Sequence, residues 1–159
     1  MAETSASELL DVVDFNDIVV DSKSRGEVHR LQLPHRSIHV LVFNANGDLL
    51  LQKRSMQKDE CAGMWGSSCA GHVEAGQHYA TTVVREFEEE LGIEPGCVPE
   101  YLFKMSPTAD NGMEFAADTG FITRGRLCSQ KMRLTNWSGS LTRNSIAGLR
   151  VTVYWTVLN

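Results

Sequence analysis

Residues 71–93 constrain this chain more than any other stretch. Gly71-His72-Val73-Glu74-Ala75-Gly76-Gln77-His78-Tyr79 runs into Ala80-Thr81-Thr82-Val83-Val84-Arg85-Glu86-Phe87-Glu88-Glu89-Glu90-Leu91-Gly92-Ile93. This is a glycine turn followed by an amphipathic helix. Ala80, Val83, Val84, Phe87 and Leu91 recur at helical spacing and are expected to face a core. Glu86, Glu89 and Glu90 stand three and four residues apart and are expected on the other side. Like charges at that spacing weaken a helix, so a counter-charge is called for. A divalent cation is the simplest one, and carboxylate oxygens suit a hard ion such as Mg2+. The alternative is an acidic solvated helix, but such a helix requires neither Gly71 before it nor Gly92-Ile93 after it.

A length of 159 residues suits one domain with a core, and 42% apolar residues is a globular composition. A net charge of -5 argues against general nucleic-acid binding but not against a nucleotide substrate. Residues 1–13 lack the basic start and apolar run of an export signal, and no stretch has the length to span a bilayer. Cys61, Cys69, Cys97 and Cys128 are scattered. They read as reduced thiols of a cytoplasmic protein, with neither a disulfide framework nor a zinc site expected.

The spacing Gly71, five residues, Gln77, seven residues, then Arg85 to Ile93 resembles the Nudix box. That box reads glycine, five residues, glutamate, seven residues, Arg-Glu-apolar-x-Glu-Glu-x-Gly-apolar. Gln77 is the one departure. The resemblance implies an α/β fold, a Nudix-type α/β/α sandwich in which a mixed sheet is clamped between helices. It also implies hydrolysis of a diphosphate linkage in a nucleoside diphosphate joined to another moiety. The cofactor would be Mg2+ or Mn2+, and the partner a small-molecule diphosphate rather than a membrane or nucleic acid. Carried over residue by residue, Glu86, Glu89 and Glu90 hold the metal, with the backbone carbonyl of Ala70 as a further ligand. Glu86 or Glu114 takes the proton of the attacking water. Arg85 orients a box carboxylate, and Glu88 is dispensable. Gln77 keeps the hydrogen-bonding shape of a glutamate but loses a charge.

Flanking segments are similar to the branch that includes isopentenyl-diphosphate isomerase and its hydrolase-like relatives. They are Arg25-Gly26-Glu27-Val28-His29, His35-Arg36, Leu49-Leu50-Leu51-Gln52-Lys53-Arg54-Ser55, Lys58-Asp59, Gly63-Met64-Trp65 and Ala70-Gly71-His72-Val73. The isomerase places a cysteine immediately before this Gly-His, where Ala70 stands. Cys69 is one residue early and, in a strand, points to the opposite face. Of the isomerase's two upstream metal-binding histidines, His35 matches one and His29 lies one residue from the other. The missing thiol argues for the hydrolase. An isomerase-like enzyme, or a catalytically silent nucleotide-binding module, are the alternatives. Lys53 and Arg54 could meet phosphate or simply end a strand in solvent. Trp65 is expected in the core rather than stacked on a base. His72 could approach substrate, His39 reads as structural, and His78 as solvent-facing.

Along the chain, residues 9–20 read as two short strands around an Asp14-Phe15-Asn16-Asp17 turn, with a helix over 5–13 as the alternative. Residues 22–26 read as a loop, 37–43 and 49–53 as strands around a hairpin turn at 44–48, and 57–63 as a polar loop. A turn at 94–96, a strand at 100–105 and a loop at 107–112 follow. The domain is expected to run over 1–115. Residues 116–159 form an atypical basic tail: Arg124, Arg126, Lys131, Arg133, Arg143 and Arg150 face only Asp118, whereas 1–115 holds nineteen acidic residues and nine basic ones. Read one base earlier, with permitted third bases, the codons of 125–140 can encode an acidic segment ending in Trp-Phe, as the family would lead one to expect. A frame-shifted tail is thus one reading; a true basic extension that binds an acidic partner is the other. Residues 151–158 read as an isolated β segment.

Overall fold

The computed structural model describes residues 7–43, 49–56, 62–92 and 99–122, together with the backbone of short strands at 143–146 and 149–152. The first two strands, β1 (Leu9–Val13) and β2 (Val19–Ser24), form an antiparallel hairpin. The Asp14 carboxylate accepts from the N–H groups of Asn16 at 2.8 Å and Ile18 at 3.0 Å, and Asp17 takes a left-handed φ of 62°. Residues 9–13 are therefore strand rather than helix. The loop expected over 22–26 is instead the end of β2 and the start of helix α1 (Arg25–Arg30). The Ser24 hydroxyl accepts from the Glu27 N–H at 3.4 Å, while the Glu27 carboxylate accepts from the Ser24 N–H at 3.3 Å. This capping box offsets the cost of Gly26 in the first turn.

Strand β3 (His35–Phe43) is the axis of the sheet. It pairs in parallel with β8 (Glu114–Ile122) over its full length, and antiparallel with β6 (Cys69–His72) on its other edge. The order β2-β1-β3-β8-β7, with β6 on β3, makes a mixed sheet whose far edge is β7 (Glu100–Met105). Ile38, Val40 and Val42 alternate onto one face and pack with Cys69, Val73 and, from helix α2 (Tyr79–Leu91), Val83 and Phe87. On the opposite face Leu10 and Val12 pack with Val28 of α1 and with Leu33. Helices thus cover both faces, and the expected α/β/α architecture holds.

Leu49 bridges Phe43, and the Leu50 N–H donates to the Val42 carbonyl at 2.9 Å. The chain then leaves β3, and β4 (Gln52–Lys53) pairs with β5 (Trp65–Gly66) instead. The single return strand expected over 49–53 is therefore split. Trp65 is 42% exposed, with the Lys53 ammonium 5.6 Å from its ring centre, and so does not sit in the core. A two-stranded ribbon beside the main sheet gives it no core to enter. The turns at 44–48 and 94–96, and part of the loop at 57–63, lie outside the described residues.

Gly92 ends α2 in a left-handed conformation (φ 66°), its N–H donating to the Glu88 carbonyl at 2.9 Å. The buried stripe of α2 is Thr82, Val83, Glu86 and Phe87, whereas Ala80 is exposed. Glu86 thus lies on the face expected for apolar residues alone. The reason is Gly71 in the facing strand, described below. A 3-10 turn (Ala109–Asn111) occupies the expected loop before β8. The composition changes after Phe115, while β8 runs on to Ile122 in pairing with β3. Strands β9 (Arg143–Ile146) and β10 (Leu149–Thr152) form an antiparallel pair, so the β segment near 151 is not isolated. Residues 125–140 lie outside the described residues.

Candidate active site

Strand β6 is three residues wide where it matters, and each residue does something different. Ala70 donates its backbone N–H to the Glu90 carboxylate at 3.2 Å. Gly71 faces α2, and a Cβ built there would overlap the Glu86 carboxylate. His72 faces the other side, where its Nε2 lies 3.5 Å from Glu114 and 3.3 Å from the Nε2 of His29. The strand therefore separates two groups of ionisable side chains.

The first group belongs to α2. Arg85 ties it together: Nη1 lies 2.9 Å from Glu86 and 3.0 Å from Glu89, while Nη2 reaches Glu74 at 3.3 Å and the His72 carbonyl at 3.2 Å. The counter-charge sought from the sequence is thus partly supplied by Arg85 itself. It does not suffice for Glu86. Burial raises that carboxyl, Arg85 opposes, and Glu90 and Glu89 raise it further, to about 7. Glu89 and Glu88 are exposed, and Glu90 is half-buried.

The second group was legible only in pieces. His29 comes from α1, His35 from the start of β3, His72 from the end of β6, and Glu114 from the start of β8, opposite His35 in register. The three imidazole rings lie 5.1–5.2 Å apart, centre to centre. Among the described residues, His29, His35 and His72 are the group whose donor atoms converge within 4.8 Å of one another. Glu86, Glu89 and Glu90 do not converge in this way. His35 is fully buried, and its Nδ1 meets the Leu33 carbonyl at 2.9 Å. A carbonyl only accepts, so Nδ1 carries the proton and Nε2 presents a lone pair. That Nε2 is buried without a hydrogen-bond partner, 3.8 Å from Glu114. Burial lowers the pKa of His35, the Leu33 carbonyl opposing, and so keeps the ring neutral. Burial alone would raise Glu114, but hydrogen bonding from His72 and then from Ser37 holds it down at about 2. An orphaned imidazole lone pair beside a permanent carboxylate is a donor set that fits a divalent cation.

The thiol is elsewhere. Cys69 is fully buried in the α2 core, where burial and then the charges of Glu90 and Glu86 push its pKa up. Ala70, its neighbour on the histidine side of the strand, has nothing to ionise.

The NUDIX domain family matches residues 33–125, more than half of the chain. The chain belongs to the Nudix family. A Streptomyces coelicolor protein named an uncharacterized Nudix hydrolase is 30% identical over 145 residues, 91% of this chain and 80% of its own. The isopentenyl-diphosphate Delta-isomerase of Serratia proteamaculans is 38% identical over 85 residues, 54% of this chain and 48% of that enzyme. The chain thus spans about half the length of the isomerase it matches. Among solved structures, DR0079 from Deinococcus radiodurans superposes with a TM-score of 0.65 at 26% identity, covering 73% of this chain and 72% of that one. No helix among the described residues is long and apolar enough to cross a membrane.

Within this Nudix fold the residues singled out from sequence fall into the two groups. Glu86, Glu89, Glu90, Arg85 and the backbone of Ala70 gather on the α2 side, and Glu114 stands across β6 with the histidines. Sequence reasoning placed His35 and His29 near an isomerase pattern but did not join His72 to them. The available signal was strand alternation: Gly71 facing the helix puts His72 on the far face. His39 bonds Ser67 at 3.3 Å through Nδ1, in keeping with a structural role, and His78 is exposed.

Proposed function

We propose that this chain hydrolyses the diphosphate (acid anhydride) linkage of a nucleoside diphosphate joined to another moiety, with Mg2+ or Mn2+ as cofactor. The cation is assigned to Glu86, Glu89, Glu90 and the Ala70 carbonyl, although the three carboxylates do not converge within 4.8 Å and Arg85 holds Glu86 and Glu89. When bound, it neutralises phosphate charge and acidifies a water molecule. The observation that carries the reading is the seating of the Glu86 carboxylate against Gly71, clamped by Arg85. In the metal-free chain the buried Glu86 carboxyl, raised to about 7, is matched to accepting a proton at physiological pH, whereas direct ligation of the cation would hold it ionised. Glu114, held near 2, is a poor base and a good permanent anion. Of the two proton acceptors left open by the sequence, Glu86 is the better assigned where the cation rests on Glu89 and Glu90, and Glu114 is better assigned to the histidine group. Arg85 orients Glu86 and Glu89.

A second reading is favoured by His29, His35, His72 and Glu114, and by the isomerase among the relatives. It requires an acid or base at the Ala70 position, which an alanine does not supply and a core-facing Cys69 does not replace. One experiment separates the readings. A panel of nucleoside diphosphate conjugates and isopentenyl diphosphate is incubated with Mg2+ or Mn2+, beside Glu89→Gln. Phosphate or nucleotide release that Glu89→Gln abolishes supports hydrolysis. Double-bond migration without release supports the second reading. Nucleotide binding without turnover would mark a silent module.

A further inference from the structure

We propose that Glu74 is the positioning residue that holds Arg85, and through it Glu86, and that Gln77 is the neutral partner this arrangement requires rather than a defect. The kinetic part of this proposal rests on the hydrolase reading; the structural part does not.

The turn at 74–77 is fixed from outside. Glu74 bridges Leu10 of β1, the Ala75 N–H donates to the Leu9 carbonyl at 2.8 Å, and the Gly76 N–H donates to the buried Asp11 carboxylate at 2.8 Å. Gly76 takes a φ of 77°, which lets the Gln77 N–H close the turn on the Glu74 carbonyl at 2.9 Å. The Glu74 carboxylate then has two partners. One oxygen meets Arg85 Nη2 at 3.3 Å; the other accepts from the Gln77 Nε2 at 3.3 Å. On its far side the Gln77 amide oxygen accepts from the hydroxyl of fully buried Thr82 at 3.1 Å.

A carboxylate only accepts, so the Gln77 nitrogen must face Glu74, and its oxygen is left for Thr82. Both ends of the amide are used. A glutamate at 77 could still accept from Thr82, but its second oxygen would confront the Glu74 carboxylate at the same separation. Two carboxylates so placed repel. The carboxylate of this turn that meets Arg85 is thus Glu74, three residues before Gln77. Glu74 is 40% exposed, so its pair with Arg85 adds little to global stability. Its effect is on where Arg85, and so Glu86, sits.

The test compares Glu74→Gln, Gln77→Glu and the charge-exchanged double variant in the full chain. Two readouts are taken: kcat and KM on whichever diphosphate the panel identifies, and proton exchange at the Arg85 side chain by NMR. Glu74→Gln is expected to lower kcat by about tenfold, the scale of one charge-assisted hydrogen bond, with KM nearly unchanged. Arg85 exchange should speed up by a similar factor while the melting temperature barely moves. Gln77→Glu alone should give no gain. The double variant should recover both readouts to within about twofold of the parent. Three results overturn the proposal: Glu74→Gln leaving Arg85 exchange at the parent rate, Gln77→Glu raising turnover on its own, or a double variant no better than Glu74→Gln. If the parent turns over nothing in the panel, the hydrolase reading falls, and Arg85 exchange in the three variants still decides the role of Glu74.

Discussion

His35 and Glu86 stand on opposite sides of one short strand, and burial shifts each towards its neutral form by a different route. Burial lowers the pKa of His35 and leaves a lone pair with nothing to bond. Burial raises Glu86 to about 7, against a guanidinium at 2.9 Å. The histidine side is a set of neutral donors around one ionised carboxylate, Glu114. The helix side is an excess of carboxylates around one arginine. Each side holds more acceptor atoms than positive charge, Arg85 included, but they differ in which side chain responds to a proton. Desolvation moves the two groups in opposite directions because the charged form of one is a cation and that of the other an anion.

Removing one acid from each side separates their roles most directly. Glu86→Gln is expected to lower kcat by roughly a hundredfold or more, the usual worth of a general base, while leaving the histidine side intact. Glu114→Gln should cost distinctly less in hydrolysis if Glu86 is the base. Equal losses in kcat from the two variants, measured on the same substrate, would remove the distinction between the two sides.

The two carboxyls also impose opposite pH dependences on the metal-free protein. Glu114 falls from an ordinary 4.5 to about 2 in the folded state, so the stability it contributes is present above about 4.5 and is lost as the pH falls towards 2. Glu86 rises from 4.5 to about 7, so its contribution is present below about 4.5 and is lost as the pH rises through 7. Each limb amounts to on the order of 3 kcal/mol at most. Denaturant titrations between pH 3 and pH 8 after chelation should show the acid limb flattened in Glu114→Gln and the neutral limb flattened in Glu86→Gln. If both variants flatten the same limb, one of these assignments is wrong.

Divalent binding sharpens the contrast at a smaller scale. His35→Ala removes the orphaned lone pair, and Glu89→Gln removes an exposed carboxylate on the other side. By calorimetry with Mn2+, each is expected to weaken one class of site by about 10–100-fold and to leave the other in place, as losses around metal ligands usually do. A single class lost in both variants would mean that the two sides act as one site.

Where signals were local, the chain announced its structure. The Asp14–Asp17 turn, the strand at 100–105 and the Gly92 cap of α2 each depend on residues within a few positions of one another. The capping box Ser24-x-x-Glu27 was local too, but Gly26 concealed it. Non-local features were hidden. Glu86 is expected on the face away from the core, as a metal ligand, because periodicity along a helix says nothing of what faces it. His29, His35 and His72 come from three elements, and the resemblance to the isomerase pointed only to the first two. The same alternation argument that turned Cys69 away from Ala70 was enough to carry His72 to the other side, and it places both correctly. The segment after Phe115 remains the least explained by pattern: its basic composition departs from the rest, yet β8 pairs without a break into it. The nucleotide sequence behind 125–140 decides the frame-shift reading, since codons unable to give the acidic segment one base earlier would end it.

The smallest expected effect concerns the contact that separates the two sides. Gly71→Ala places a methyl group where the Glu86 carboxylate now lies, so the helix must shift or the carboxylate must leave. Overpacking of this kind costs about 1–3 kcal/mol. In a Glu86→Ala background the space is already open, and the same substitution should cost less. Urea unfolding of the four members of this cycle gives the coupling directly. A coupling near zero would mean that the glycine serves the backbone of β6 rather than the acid facing it. A clear coupling, with His35 still binding Mn2+ in Gly71→Ala, would show that strain on the helix side stops at β6.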